Sequence, residues 1–577
     1  MLRLTLVCLL SLSAAALFVL SAVDYSTLKE HVDVFSLDRD ADVSREEFRD
    51  VVLRLRFLAG VLAAVSIVLL LVGSRLDRRA TTVLSECWGA AKRSPADLRS
   101  WVEGETVVYV GALIAVLVTG IALRLAFLDV PMRYDEAATY NAYVSKPLYI
   151  GLSNYSAPNN HLFHTFLAKL SVETFGSAPW VVRLPALLAG IAVIPATFGL
   201  ARILYGRTAA LLAAALVATS STMVEYSTNA RGYTLVALFT LSALIAATRV
   251  LEHGGAGAWA ALGVSGALGL YAVPVMIYAL GGVYLWVLLN QMARRRPVRD
   301  LIVGLVGSLS LTGVLAVLLY GPVFAAMGVG SVTSNYFVEP QPWWDFLDAL
   351  PRHTWDTIGT WERDLPTIIV VALAIGLLAS LVLTPRISRY PFPPLLAVLV
   401  WALPVLAVQR VVPFTRVWLF VVPLVLAASA GFYGWVLGQA RGRLPLGELM
   451  AVLVLAGGTS LVLSADSVRT SRETGALLDG PAVAEYLRHT LRAGDSVVAT
   501  GSEAILEYYL QRKGYDASTV IWGEPGRRIV LVVNRLGNQT VDRLMEDIPG
   551  RPALSPPRLL REWPSAQVYR VRSSPRG

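Results

Sequence analysis

Residues 133–144 read RYDEAATYNAYV, an Asp–Glu pair with an arginine two places before it, just after an apolar run. A carboxylate there is either an acidic loop at a membrane boundary or a base. Its company bears on the choice. Downstream come Asn159, Asn160, His161 and His164, then Glu225, Tyr226, Asn229, Arg231 and Tyr233, and later Arg410 and Arg416. An ionisable group at a membrane boundary is costly and marks a site. Carboxylate, imidazole and guanidinium groups on one face suit activation of a hydroxyl beside a phosphate leaving group. In this reading Asp135 and Glu136 form the catalytic pair. Arg231 and Arg416 grip the phosphate, and Arg133, Asn160, His161, His164 and Tyr233 orient donor and acceptor.

Two of these assignments have plain alternatives. An arginine at the end of an apolar span can snorkel to lipid headgroups. Arg231 and Arg416 both fall at outer helix ends, where the positive-inside rule disfavours arginine. A guanidinium fork there suits phosphate oxygens. His161 and His164 are spaced i, i+3, which is compatible with a metal on a helix. With no fixed third ligand, orientation of a phosphate or acceptor is the better fit.

The elements that must position these groups are membrane helices. The chain has 577 residues, is 55% hydrophobic and 16% charged, and carries a net charge of +9. Soluble proteins carry roughly 25% charged residues. Apolar runs of spanning length fall at about 4–23, 52–74, 107–128, 180–200, 207–223, 232–250, 257–274, 275–290, 301–322, 366–384, 394–410, 414–437 and 446–464. The expectation is an all-α polytopic membrane protein of about 13 transmembrane helices, followed by a small α/β soluble domain. The basic stretches RLDRRATT, MARRRPVRD, TPRISRY and QARGRLP fall on one side, which becomes cytoplasmic. The Asp–Glu loop, STNARGY, the long loop 323–365 and the C-terminal tail then face outward. NNHLFHTFLAKLSVETFG is read as a helix at the outer interface, because a further span would reverse every later loop. The two cysteines, Cys8 and Cys87, exclude a disulfide framework.

Residues 466–577 read as an extracytoplasmic α/β unit. GPAVAEYLRHTL and SEAILEYYLQRKG are helices; DSVVAT, RRIVLVVNR and AQVYRVR are strands. Residues 106–465 form the transmembrane core, and 1–105 an addition with two spans.

The segment from about 107 to 440 resembles the GT-C membrane glycosyltransferases. It is closest to the family 39-like group of protein O-mannosyltransferases and aminoarabinose transferases. The resemblance rests on YDEAATY, then NNHLFHTFLAKLSVETFGSAPWVVRLPALLAGIAVIPATFGLARILYG, STNARGY, and late in the chain FTRVWLFVVPLVLAASAGFY, in that order. It implies a polyprenyl-phosphate-linked sugar as donor and a glycan, lipid or protein hydroxyl as acceptor. It implies inverting displacement on the outer face, with Asp135 as general base and no cofactor needed for catalysis. The setting would be a bacterial inner or plasma membrane, in contact with membrane lipids and without nucleic acid. Two features depart from the family. The acidic loop follows the third span instead of the first, and NNHLFH stands where relatives often have His-Pro-Pro. Two other function classes remain open: a flippase for a lipid-linked saccharide, and a calcium-responsive membrane scaffold.

The scaffold class rests on FSLDRDADVSREEFRDVVLRL, which resembles an EF-hand loop. Asp38, Asp40 and Asp42 take loop positions 3, 5 and 7, and Glu47 takes the bidentate position 12. Ser36 stands at position 1 and Ala41 at the position of the usual glycine, so any Ca²⁺ site here is degenerate. The alternative is an acidic helix cap.

Overall fold

A computed structural model describes residues 2–33, 43–294, 297–333, 338–439, 445–471, 473, 475–492, 494–515, 517, 521, 528–548 and 553–574. Asp38, Asp40 and Asp42 of the EF-hand-like loop lie outside them. Glu47 lies within, and it caps a helix: its Oε2 accepts the Ser44 N–H at 2.8 Å, while Ser44 Oγ accepts the Glu47 N–H at 3.2 Å. Both orphan donors at the helix start are thereby satisfied.

The N-terminal addition contains α1 (Leu2–Leu20), α2 (Tyr25–Val32) and α3 (Arg45–Glu103), with α1 packed along α3. The core continues with α4 (Val107–Ala126), α5 (Tyr134–Thr139), α6 (Leu148–Ser153), α7 (Leu162–Phe175), α8 (Pro179–Tyr205), α9 (Arg207–Ala218) and α10 (Ser221–Ser227). Next are α11 (Tyr233–His253), α12 (Ala256–Ala272), α13 (Met276–Ala293), α14 (Val298–Met327) and α15 (Gly330–Thr333). After them come α16 (Trp343–Glu362), α17 (Thr367–Val382), α18 (Thr384–Ile387), α19 (Pro394–Gln409), α20 (Val422–Gln439) and α21 (Leu446–Ser464). A π-helical turn, Tyr140–Val144, follows α5, and a 3₁₀ turn, Thr415–Val421, leads into α20.

Every apolar run of the sequence is helical, but the spans divide differently from the expected thirteen. Among the described residues seven helices are long and apolar enough to cross a membrane, or nine if two bent pairs each count as one. The pairs are α9 with α10, bent by 61°, and α16 with α17, bent by 115°. The helices α12 and α19 have 17 and 16 residues, or about 25 Å, short of the ~30 Å hydrocarbon core. The run 52–74 is continuous with a 59-residue helix. The long outer loop is itself largely helical, because it contains α16.

The helix α9 is rich in alanine and buried almost all round, the pattern of a helix inside a bundle. It packs on α8, α20 and α21. Contact with α20 is close because Gly434 has no side chain: a Cβ there would stand 2.6 Å from the Ala209 nitrogen.

The C-terminal unit adds α22 (Gly480–Thr490), α23 (Glu503–Gln511) and α24 (Val541–Glu546). Its strands are β1 (Asp495–Val498), β2 (Arg528–Asn534), β3 (Ala553–Leu554), β4 (Arg558–Glu562) and β5 (Ala566–Ser574). β1 pairs parallel with β2, and β5 pairs antiparallel with β2, β3 and β4. This unit shares one core with the acidic loop: Met132, Ala137 and Tyr140 pack with Ile505, Tyr508 and Tyr509. The Met132 N–H donates to Tyr509 Oη at 2.9 Å and the Tyr134 N–H to the Gly475 carbonyl at 2.8 Å. The acidic loop and the tail therefore occupy the same end of the bundle.

Gly434→Ala should lower the melting temperature of the detergent-solubilised protein. Gly199→Ala, in α8 with no atom within 4 Å of the new Cβ, should leave it unchanged or raise stability by up to ~1 kcal/mol. Equal melting temperatures for the two variants would show that α20 and α9 do not meet as described.

Candidate active site

The two carboxylates of the acidic loop part company in the folded chain. Glu136 is fully buried against Arg183 of α8, which donates from Nε at 2.8 Å and Nη2 at 2.6 Å. The Arg133 N–H gives a third bond at 2.8 Å and the Ala230 N–H a fourth at 2.6 Å. Burial opposes the charge on Glu136, but Arg183 and these donors outweigh it and hold its carboxyl below the usual range. With both oxygens taken, Glu136 has none left for a substrate. Those four bonds tie the carboxylate into the fold.

Asp135 is different. Its side chain is 21% exposed. Oδ2 stands 3.8 Å from Arg231 Nη2 and 3.5 Å from Arg416 Nη2, without a hydrogen bond to either. Two guanidinium groups face one carboxylate. Arg231 is buried at the start of α11, and Arg416 lies in the 3₁₀ turn before α20. Tyr233 joins them by accepting from Arg416 Nε at 3.2 Å. His161 completes the group, with its ring edge-on to Tyr233 at 5.0 Å between centroids. The Gly232 N–H donates to His161 Nδ1 at 2.7 Å, so the neutral ring carries its proton on Nε2. That nitrogen is 3.4 Å from Arg231 Nη2. Two donors so close are suited to a shared acceptor between them.

Three other expected orienting residues, Arg133, Asn160 and His164, are buried. Arg133 donates to the Thr228 carbonyl at 2.9 Å and the Val468 carbonyl at 2.8 Å, tying α10 to the tail. Asn160 Nδ2 binds the carbonyls of Gly151 and Asn154, and its Oδ1 accepts from Thr165. His164 is fully buried, and neither ring nitrogen has a hydrogen-bond partner among the described residues. Arg410 lies apart, with φ 50° and its guanidinium 6.0 Å from the Trp343 ring. Among the described residues no group of three or more His, Cys, Asp or Glu is placed to hold a metal.

Sequence reasoning missed three members. Arg183 is a lone guanidinium in an apolar run, which was itself the signal. Arg363 pairs with buried Glu225. Glu473 accepts from Tyr226 Oη at 2.9 Å, Thr415 Oγ1 at 2.5 Å and the Arg416 N–H at 3.1 Å. Nothing local in its sequence, SRETG, marks Glu473.

The helix order and this cluster at one end of the bundle invite comparison with known proteins. The crystal structure of ArnT from Cupriavidus metallidurans in the apo state superposes with a TM-score of 0.53 and 13% identity, covering 80% of this chain and 98% of that one. The fold is that of the GT-C membrane glycosyltransferases. The ArnT structure bound to undecaprenyl phosphate matches at TM-score 0.47 and 14% identity, covering 80% and 98%. An Archaeoglobus fulgidus oligosaccharyltransferase matches at TM-score 0.47 and 13% identity, covering 70% and 63%. The fold assignment rests on the first of these. The family model for dolichyl-phosphate-mannose-protein mannosyltransferase matches residues 158–320. That stretch holds His161 and Arg231, while Asp135 and Arg416 lie outside it. No curated protein matches the chain significantly.

Burial, then Arg231, pushes His164 down to about 3. Burial, with Arg231 and His164, pushes His161 well below its usual value. Both rings stay neutral in the fold, whereas an unfolded histidine protonates near pH 6.5. Below that pH the unfolded chain binds more protons, so stability is lost as pH falls and is flat above it. The melting temperature should drop between pH 7 and pH 5.5. His164→Leu, which breaks no hydrogen bond, should flatten the slope. An unchanged slope would mean that His164 protonates in the fold.

Proposed function

We propose that the protein is an integral membrane glycosyltransferase that moves a sugar from a polyprenyl-phosphate donor to an acceptor hydroxyl. The observation that carries this is the convergence of Arg231 and Arg416 on one partly exposed carboxylate, with His161 Nε2 beside Arg231. Two guanidinium groups face Asp135 without hydrogen-bonding it, and a phosphate oxygen would satisfy these donors. A charged acceptor site at helix ends suits phosphate held as a leaving group. The family model over residues 158–320 supports a lipid-phosphate donor.

In this mechanism the donor phosphate lies between Arg231 and Arg416, with His161 Nε2–H as a further donor. Asp135 takes the proton from the acceptor hydroxyl as its oxygen attacks the anomeric carbon from the face opposite the phosphate. The bond from that carbon to the phosphate oxygen breaks, and the configuration inverts. The positive groups stabilise the charge that gathers on the phosphate. Glu473 holds Arg416 and Tyr226 in place. The C-terminal unit covers the site beside the acceptor. We place this site on the extracytoplasmic side, opposite the basic loops.

Asp135→Asn should lower transfer of radiolabelled sugar from a polyprenyl-phosphate donor by ~10²–10⁴, with donor binding retained. Near-normal transfer would remove the base assignment. Arg231→Ala and Arg416→Ala should each weaken donor binding by ~10–150-fold, from about 1.5–3 kcal/mol per charge-assisted contact. A flippase would bind the donor yet release no free polyprenyl phosphate, so turnover in detergent separates the two readings.

A further inference from the structure

Between the spans and the site lies α16, whose surface is divided into three stripes. Phe346, Leu350, His353 and Thr357 turn inward. His353 Nε2 accepts the Trp418 Nε1–H at 3.0 Å, and the Thr360 carbonyl accepts from Thr222 at 3.1 Å. A second stripe is polar and exposed: Asp345, Asp348, Arg352 and Asp356. The third is apolar and equally exposed. It consists of Trp343, Leu347, Pro351 and Trp355 at intervals of four residues, with Trp344 beside them. Trp344 is 82% exposed and Trp355 71%. Trp343 meets the Arg410 guanidinium and the Phe346 ring and is still half exposed, while among the described residues little covers Trp344 and Trp355.

The two ends of α16 show where that face lies. At its C-terminal end the chain turns by 115° into α17, whose Ile368, Val371, Ile375 and Leu378 are exposed in turn. At its N-terminal end the Gln341 N–H donates to the Arg410 carbonyl at 2.9 Å, just past the end of α19. The start of α17 and the end of α19 belong to the same side of the bundle, since one short connection joins their other ends. A 20-residue helix spans about 30 Å. Pinned at both ends to the same boundary, it must run along the membrane surface.

We infer that α16 is an in-plane interfacial helix whose tryptophan stripe sits in the headgroup–acyl boundary of the bilayer. Tryptophan is favoured at that depth because its ring is apolar and its N–H polar. The polar stripe holds three aspartates and one arginine, so attraction to anionic lipid is not the driving force. The partner is the lipid interface itself, zwitterionic lipid included. The inward stripe then links membrane depth to the site, since Arg363 at the end of α16 pairs with Glu225 and His353 receives Trp418. This inference does not depend on the reaction the site performs.

The test uses full-length protein in phosphatidylcholine nanodiscs, with Cys8 and Cys87 replaced by serine. Single spin labels are placed by Leu347→Cys, Trp355→Cys, Arg352→Cys and Asp356→Cys, all at exposed positions. Collision with oxygen, which enters lipid, should exceed collision with a water-soluble nickel chelate severalfold at 347 and 355. The order should reverse at 352 and 356. Nickel access at all four positions would place the stripe in water and overturn the inference. Shielding of all four from both reagents would mean that protein covers the helix, and would overturn it equally.

Discussion

The arrangement of the site depends on one buried ion pair. Glu136 and Arg183 are both removed from solvent, and each would be costly to bury alone. Together they join three distant parts of the chain. Arg183 also donates to the carbonyls of Leu128 and Val130, while Glu136 takes the backbone N–H groups of Arg133 and Ala230. The acidic loop is thereby fastened to α8 and to the residue just before Arg231. Asp135, one place before Glu136, has its position set by this buried neighbour.

The same division of labour recurs around the arginines. Arg231 and Arg416 come from opposite halves of the core and meet at one carboxylate. Glu473 holds Arg416 from the tail and bonds Tyr226 on α10. Asn160 fixes the loop that ends in His161, and the Gly232 N–H selects the tautomer of its ring. Polar groups that are fully bonded give rigidity, and those left with open valences face each other across the site. The shared core with α23 makes the C-terminal unit a wall of this site, not a separate appendage.

The N-terminal addition stands at a distance from this chemistry. Its α3 packs on α12 and α14, with α1 along α3, and an apolar cavity of about 1310 Å³ lies between these helices and the core. Its EF-hand-like loop begins α3 through the Ser44–Glu47 cap.

The sequence by itself determined the membrane class, the helical character of each apolar run and the α/β tail, because periodicity and composition are local properties. It also marked Asp135, Arg231, Arg416, His161 and Tyr233, since charge at a helix end in lipid is conspicuous in one dimension. Only the tertiary structure separated the surroundings of Asp135 from those of Glu136. Adjacent residues on a helix point about 100° apart, and which one meets Arg183 depends on a helix some fifty residues away. The same holds for Arg133 and Asn160, whose types suit catalysis and whose side-chain nitrogens bond backbone carbonyls, and for His164, which is buried without a hydrogen bond. Glu473 was invisible for the converse reason: its three bonds all reach across more than fifty residues of chain, a separation that no local pattern records.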